Sequence, residues 1–231
     1  MISVIMPSLR PDAALCRVRE FEATNKDTDY EITIVSPFKI DGEKVNWVYE
    51  EKASGLTHAH NVAYQSSTGE YVVWWADDCS PTPNCLAKML NFVESQTGLF
   101  IGAYKLNDGY WLEPPLYAVY AKLYANFGCA SRKTIEGIGG YLDTIYKGFW
   151  ADVDMSLRTW EAGGRVEVCP NTWVDLTNSQ EEISQENKEE NFDNDLETFL
   201  KRWHHKLGNG VDISAVRKNF YIINRPLELW R

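Results

Sequence analysis

Three short runs constrain this chain more than anything else in it: ISVIMP at 2–7, EITIVSP at 31–37 and YVVWWA at 71–76. Each is apolar almost throughout and rich in β-branched or aromatic residues. A strand with one wet face alternates apolar and polar side chains. A continuous run is buried on both faces, as strands are in a parallel sheet covered by helices. The segments between the runs change period. Ala14, Leu15, Val18 and Phe21 share one helical face, as do Ala59, Val62 and Ala63, and then Leu86, Met89, Leu90 and Val93. Asp12 is placed to cap the first helix, Gly69 to end the second, and Thr82 with Pro83 to open the third. With VNWVYE (45–50) as a further strand, the order to about residue 97 is β-α-β-β-α-β-α. That order predicts an α/β, Rossmann-like, mainly parallel sheet flanked by helices.

The second half is less regular. LFIGAYK and LYAVYAKLY read as strands, and GCASRKTIEGIGGYLD as a glycine-rich connection. ADVDMSLRTWEAGG reads as a helix with Val153, Leu157 and Trp160 on one face. Asp152 and Asp154 fall in its first turn, where the helix dipole favours negative charge. Phe192, Leu196, Phe199, Leu200, Trp203 and Leu207 recur at helical spacing and predict a C-terminal amphipathic helix packing back on the domain. The stretch 178–197 is strongly acidic, which reads as a solvated face, and the tail from Thr198 is basic and aromatic, able to touch an anionic surface peripherally.

Charge and cysteine content exclude some functions. A formal net charge of -10 repels polyphosphate, so no nucleic-acid partner is expected. Five scattered cysteines without a CxxC pair fit reduced thiols rather than a disulfide framework or a zinc site. No leader and no membrane-spanning run is read in the chain, and a cytoplasmic protein is expected.

The strand at 71–76 ends in Asp77-Asp78. Adjacent acids raise the cost of ionising one another. In open α/β sheets, however, ligands bind beyond the carboxyl ends of the strands, and these acids lie there. Two readings stay open from the pair alone. The acids cap the turn into the next helix, or one of them holds a hard cation together with substrate phosphates while the other fixes the loop or a ribose hydroxyl.

The larger pattern is VIMPS, a strand ending near Ser36, GLTHAHNVAYQSSTGEYVVWWADD, and then GCASRKTIEGIGGYLDTIYKGFWADVDMSLRTWEAGGRVEV. Over about residues 1 to 176 it resembles the GT-A glycosyltransferases of family 2. The resemblance implies a GT-A domain over 1–176, with a nucleotide-sugar half at 1–97 and an acceptor-side half at 98–176. Residues 177–231 follow as an acidic segment and helical tail. It implies an inverting transfer from a nucleotide-diphosphate sugar, assisted by Mn2+ or Mg2+, to a glycan, lipid-linked or protein acceptor. By position, Pro7, Ser8, Arg10, Ser36, His60, Asn61, Asp77, Asp78 and Arg132 would bind the nucleotide-sugar. Asp78 would ligate the metal, with Asp175 standing where the family often has a further ligand. Asp152 would be the general base and Trp150 would flank the acceptor. Ala76 and Ala151 each replace an acid of the family's acidic motifs, which opens the alternative of an inactive, sugar- or nucleotide-binding scaffold. A sugar nucleotidylyltransferase is disfavoured because PSLRPD has no glycine to cradle a triphosphate. His204 and His205 read as surface residues of the last helix, and His58 and His60 point apart on theirs.

Overall fold

The computed structural model describes residues 1–107, 116–119, 122–176, 185–207 and 221–223; side chains at 116–118, 185–189, 204–207 and 221–223 lie outside it. The basic tail read above as a membrane or anion contact falls mostly beyond these residues.

The first half follows the predicted order. β1 (Ile2–Ile5), α1 (Pro11–Thr24), β2 (Tyr30–Ser36), β3 (Val45–Tyr49), α2 (Leu56–Ser66) and β4 (Tyr71–Trp74) are followed by a two-residue β5 (Ser80–Pro81) and by α3 (Cys85–Glu94). Strands β3, β2, β1 and β4 are mutually parallel neighbours. Their side chains alternate between two cores. Ile2, Val4, Met6, Ile32, Ile34, Val73 and Trp75 meet α1 and α3 on one side. Ile5, Val35, Val72 and Trp74 meet α2 on the other, through Ala59 and Ala63. Two covered faces are why these runs are apolar without a break.

Two boundaries differ from the sequence reading. α3 begins at Cys85 rather than at Pro83, because Asn84 takes a left-handed conformation (φ 57) before it. α2 ends at Ser66, and Gly69 serves a different purpose: a Cβ there would lie 2.6 Å from the Ser3 amide nitrogen, so only glycine lets the loop cross β1 this closely.

β6 (Phe100–Asn107) and β10 (Arg165–Asp175) extend the same sheet, and β9 (Gly128–Ser131) lies between β4 and β6, antiparallel to both. The eight-stranded order is β3-β2-β1-β4-β9-β6-β10-β5. The glycine-rich connection of the sequence reading therefore contains a central strand. Its residues are small because its neighbours are large and close: a Cβ on Gly128 would lie 2.5 Å from the Trp74 ring and 2.7 Å from the Gly102 carbonyl oxygen. The stretch 116–124 forms β7 (Leu116–Val119) and β8 (Lys122–Leu123), which make a separate small sheet with β11 (Tyr221–Ile223).

After β9 come α4 (Arg132–Gly137), α5 (Ala151–Glu161) and, beyond β10, α6 (Gln185–Leu207). α6 packs through Leu196, Phe199, Leu200 and Trp203 against Trp150, Val153 and Leu157 in a third core. Among the described residues, no helix is long and apolar enough to cross a membrane.

Candidate active site

The carboxyl ends of β1, β2 and β4 deliver the loops 6–10, 36–38 and 75–79 to one edge of the sheet. Because β9 runs antiparallel to β4, with Gly128 opposite Trp74, the segment 124–127 reaches that edge as well. α2 and the entry to α5 close the remaining sides around a cavity of about 330 Å³. Its wall is largely aromatic and aliphatic, with Trp75, Tyr124, Phe127, Phe149, Trp150 and Phe192 among the lining residues. The polar groups on it are few: Thr57, His60, Asn126 and Asp152 contribute the side chains able to hydrogen-bond beyond the ring edges of Trp and Tyr.

Asp152 stands in the first turn of α5, following Trp150, which is left-handed (φ 65) and 3% exposed. That strained residue turns the chain sharply into the helix and is held by ring contacts with Phe199 (4.8 Å between centroids) and Phe192 (5.6 Å). The half-buried Asp152 carboxyl lies on the wall of the apolar cavity. Loss of hydration raises its pKa to about 6, against the smaller opposing pull of the backbone amides of Val153 and Asp152. His60, also on the wall, is shifted the other way: burial lowers its pKa to about 4, so the ring is neutral, with Nδ1 3.4 Å from the Tyr141 hydroxyl.

On the loop after β4, the two acids part company. Asp77 is 7% exposed and accepts hydrogen bonds from the Ser8 hydroxyl and from the Arg10 guanidinium, whose Nε lies 3.2 Å from Oδ2. The same interaction raises the Arg10 pKa above its ordinary value. Asp77 therefore fixes the loop after β1 to the loop after β4. Asp78 keeps a carboxylate 36% exposed; its Oδ1 accepts from the Cys79 thiol at 3.1 Å, and its Oδ2 is 3.7 Å from Arg10 Nη2. The neighbouring Ala76 lines the cavity, so the loop that carries Asp78 forms part of the cavity wall.

Among the described residues, no three His, Cys, Asp or Glu side chains gather into a ligand set. Asp175, the expected extra ligand, ends β10 with its backbone paired to Ser80, two residues past Asp78. Among the described residues of these loops, Asp78 is an accessible carboxylate next to a guanidinium. That donor set fits a hard cation which takes its other ligands from phosphate and water, as magnesium and manganese commonly do.

Several expected nucleotide contacts fall elsewhere. Arg132 is the clearest correction. Ser131 pairs with Tyr71 and the Arg132 amide donates to the Glu70 carbonyl, so Arg132 sits at the amino end of β4, the far end from Asp77. Its guanidinium instead binds the carbonyls of Gly69 (2.7 Å) and Ser67 (2.7 Å) and stacks over Tyr64, closing the end of α2. The cause is the antiparallel sense of β9, which the sequence reading had as a connection. Asn61 points its amide at the carbonyls of Thr57 (3.0 Å) and Leu142 (2.8 Å) and is not part of the cavity wall. Ser36 is 1% exposed, its hydroxyl donating to the Phe38 carbonyl (2.6 Å) and accepting from Trp47 Nε1 (3.0 Å). Its place at the end of β2 holds, but its hydroxyl organises the turn. Pro7 and Ser8 are buried at the end of β1, with Arg10 half-buried beyond them. His58 is exposed near Glu50 (3.6 Å), and the side chains of His204 and His205 lie outside the described residues.

The sequence reading missed Thr57, Tyr124, Asn126, Phe149 and Phe192 as wall residues. Only the high aromatic content hinted at them, and it could not say which rings converge.

Comparison with known proteins fits this geometry. The model of glycosyl transferase family 2 matches residues 23–135. No curated protein matches in sequence. Among solved structures, GalNAc-T7 with UDP, GalNAc and Mn2+ superposes with a TM-score of 0.64 at 13% identity, covering 78% of this chain and 44% of that one. TarS 1-349 from S. aureus in complex with UDP-GlcNAc gives 0.61 at 14%, covering 86% and 66%. The mannosyltransferase PcManGT from Pyrobaculum calidifontis, with GDP-Man and Mn2+, gives 0.61 at 13%, covering 94% and 68%. The chain thus spans less than half the length of the first of these, and identities this low speak for the fold alone. The fold is the GT-A fold of these structures, and the match to the family 2 model runs from the end of α1 into α4.

Proposed function

We propose that the chain moves a sugar from a nucleotide-diphosphate donor to a hydroxyl group in a single displacement that inverts the anomeric carbon. The observation that carries this reading is Asp152, a carboxylate with its pKa raised to about 6 on the wall of an apolar cavity. A general base must hold a proton firmly enough to take it, yet be free of one at the working pH, and a value near 6 meets both needs.

In this reading the acceptor hydroxyl gives its proton to Asp152 as its oxygen attacks the anomeric carbon. The bond from that carbon to the donor's phosphate oxygen breaks, and its electron pair leaves with the nucleoside diphosphate. Ser8 and Asp77 hold Arg10 beside the loop that would receive the diphosphate. Asp78 would hold Mn2+ or Mg2+, which when bound supplies positive charge to the departing diphosphate. The bound UDP, GDP-Man and Mn2+ of the solved neighbours support that assignment. Among the described residues, Asp152 is the one charged side chain on the cavity wall, and the rest is largely aromatic. This favours an acceptor that is uncharged where it enters and presents C–H faces to rings, such as a neutral sugar of a glycan, a lipid-linked saccharide or a glycosylated protein. Five free thiols, four of them buried, support a reducing compartment, the cytoplasm.

One observation favours a second reading, a binding protein without turnover: both positions that lack a family acid, Ala76 and Ala151, face the cavity. A single experiment separates the two. With Mn2+ present, the wild-type chain should slowly hydrolyse its preferred nucleotide-sugar, and Asp152→Asn should abolish transfer while the donor Kd stays within about twofold. Donor binding with no turnover under any metal would establish the binding protein instead. A donor Kd that EDTA leaves unchanged would remove Asp78 from a metal role.

A further inference from the structure

The stretch 178–197 read as a solvated acidic face, but one of its acids is not solvated. Asp195, on α6, is 2% exposed. Three consecutive backbone amides converge on its carboxylate: Lys147 N lies 3.0 and 3.1 Å from the two oxygens, and Gly148 N and Phe149 N each lie 2.9 Å from Oδ2. Successive amides closing on one anion make a backbone nest, and here the protein supplies its own anion from another element.

The segment so held connects to two walls of the cavity. Behind it, the Lys147 carbonyl accepts from the Thr57 amide (3.1 Å) in the first turn of α2, the helix that contributes Thr57 and His60. Ahead of it come the left-handed Trp150 and then Asp152. α6 also grips the chain just past Asp152: Trp203 Nε1 donates to Asp154 Oδ1 at 2.8 Å, and Phe199 packs on Trp150. Asp152 thus lies between Phe149 and Asp154, both bonded to α6, while Phe192 of the same helix lines the cavity.

We infer that Asp195 is a positioning residue: it acts through the amides of 147–149 to set Trp150 and Asp152 against the acceptor, so that α6 completes the acceptor side of the site. This rests on the transfer reading above. The donor-side groups, Ser8, Arg10, Asp77 and Asp78, sit on other loops and are bonded to one another.

The test uses the full chain. Asp195→Asn keeps the side-chain size but turns one accepting oxygen into a donor that faces other donors. The expected result is a fall in kcat for transfer of about a hundredfold, the loss that a displacement of about 1 Å produces at a reacting centre. The donor KM should stay within about twofold. Amides 147–149 should lose hydrogen-exchange protection, while amides of β1 and β4 keep theirs. Asp195→Glu, which restores the charge on a longer arm, should recover part of the rate. Glu197→Gln, on the exposed face beside Lys201 (2.8 Å), should change neither quantity.

A purely structural role would lower Tm and the folded fraction but leave kcat per folded molecule intact, and that result overturns the inference. Unchanged protection of 147–149 in a folded variant overturns it equally. Should the asparagine variant fail to fold, the glutamate variant carries the same two readouts. Should the wild-type chain transfer no sugar, the transfer reading falls, and the exchange data still decide whether Asp195 holds the segment.

Discussion

Asp154 is a heavily bonded buried charge, and removing it is the sharpest test of how the site is held. Its side chain has no exposure, and it accepts from Arg158 Nε (2.9 Å), Trp203 Nε1 (2.8 Å) and the Tyr146 hydroxyl (3.2 Å), with Arg202 Nε at 3.3 Å. Asp154→Ala leaves Arg158, 8% exposed, with its charge uncompensated. Breaking one side of a buried pair costs about 3–5 kcal/mol. The stranded Trp203 and Tyr146 donors add to this, but Arg158 keeps the carbonyls of Ile138 (2.9 Å), Gly140 (2.7 Å) and Tyr141, which offsets part of the loss. The net expectation is about 4 kcal/mol, a large share of the roughly 5–15 kcal/mol that holds a domain folded. At about 2–4 °C per kcal/mol for a chain of this size, Tm should drop by about 10 °C. Calorimetry and a urea midpoint would measure it. Arg158→Met and the double variant complete a cycle in which the two losses should be less than additive by about 2 kcal/mol. A loss under about 1 kcal/mol, or strict additivity, would refute the idea that this pair anchors α5.

Three further outcomes follow from the geometry. Transfer activity should fall as pH drops through about 6, because Asp152 must be ionised to accept a proton. The stability effect has the opposite sense: a carboxyl whose folded pKa lies above its unfolded one favours folding while it is protonated, and this contribution is lost as pH rises through about 6. Asp152→Asn should therefore be more stable than wild type above pH 6, by about 1 kcal/mol after allowing for the solvent that reaches it, even as it is inactive. A flat pH–rate profile between 5 and 8 would remove Asp152 from the role of base. Arg132→Ala, in contrast, should lower stability by about 2–3 kcal/mol through the lost charge-assisted bonds to Gly69 and Ser67, with the donor Kd unchanged by titration calorimetry. A weakened Kd at unchanged stability would return Arg132 to the nucleotide site.

The first half of the fold was legible because burial on both faces writes itself into the sequence: ISVIMP and YVVWWA have no polar face to hide. β9 was not legible. Its four residues GCAS carry no β signature, since Trp74 and the Gly102 carbonyl leave room only for small side chains at Gly128, and glycine reads as a turn. That omission moved Arg132 to the wrong end of the sheet. The acids proposed for the chemistry, Asp152 and Asp78, stood out in the sequence because helix starts and strand ends are local features. Asp195 did not, because its meaning lies in three amides about 47 residues away, and nothing in an acidic run distinguishes an acid that faces inward. Phe192 and Tyr124 were hidden for the same reason: rings converge in space, not in sequence.

The central claim is that Asp78 and Asp152 serve one site from two sides. A crystal structure of the chain with its nucleotide-sugar and Mn2+, read through the anomalous signal of manganese, tests it most directly. The expected map has the metal peak at coordination distance from Asp78, the diphosphate beside Arg10, and the sugar's anomeric carbon open toward the cavity wall that carries Asp152. A donor seated outside the loops 6–10 and 75–79, or a sugar turned away from Asp152, would contradict the account.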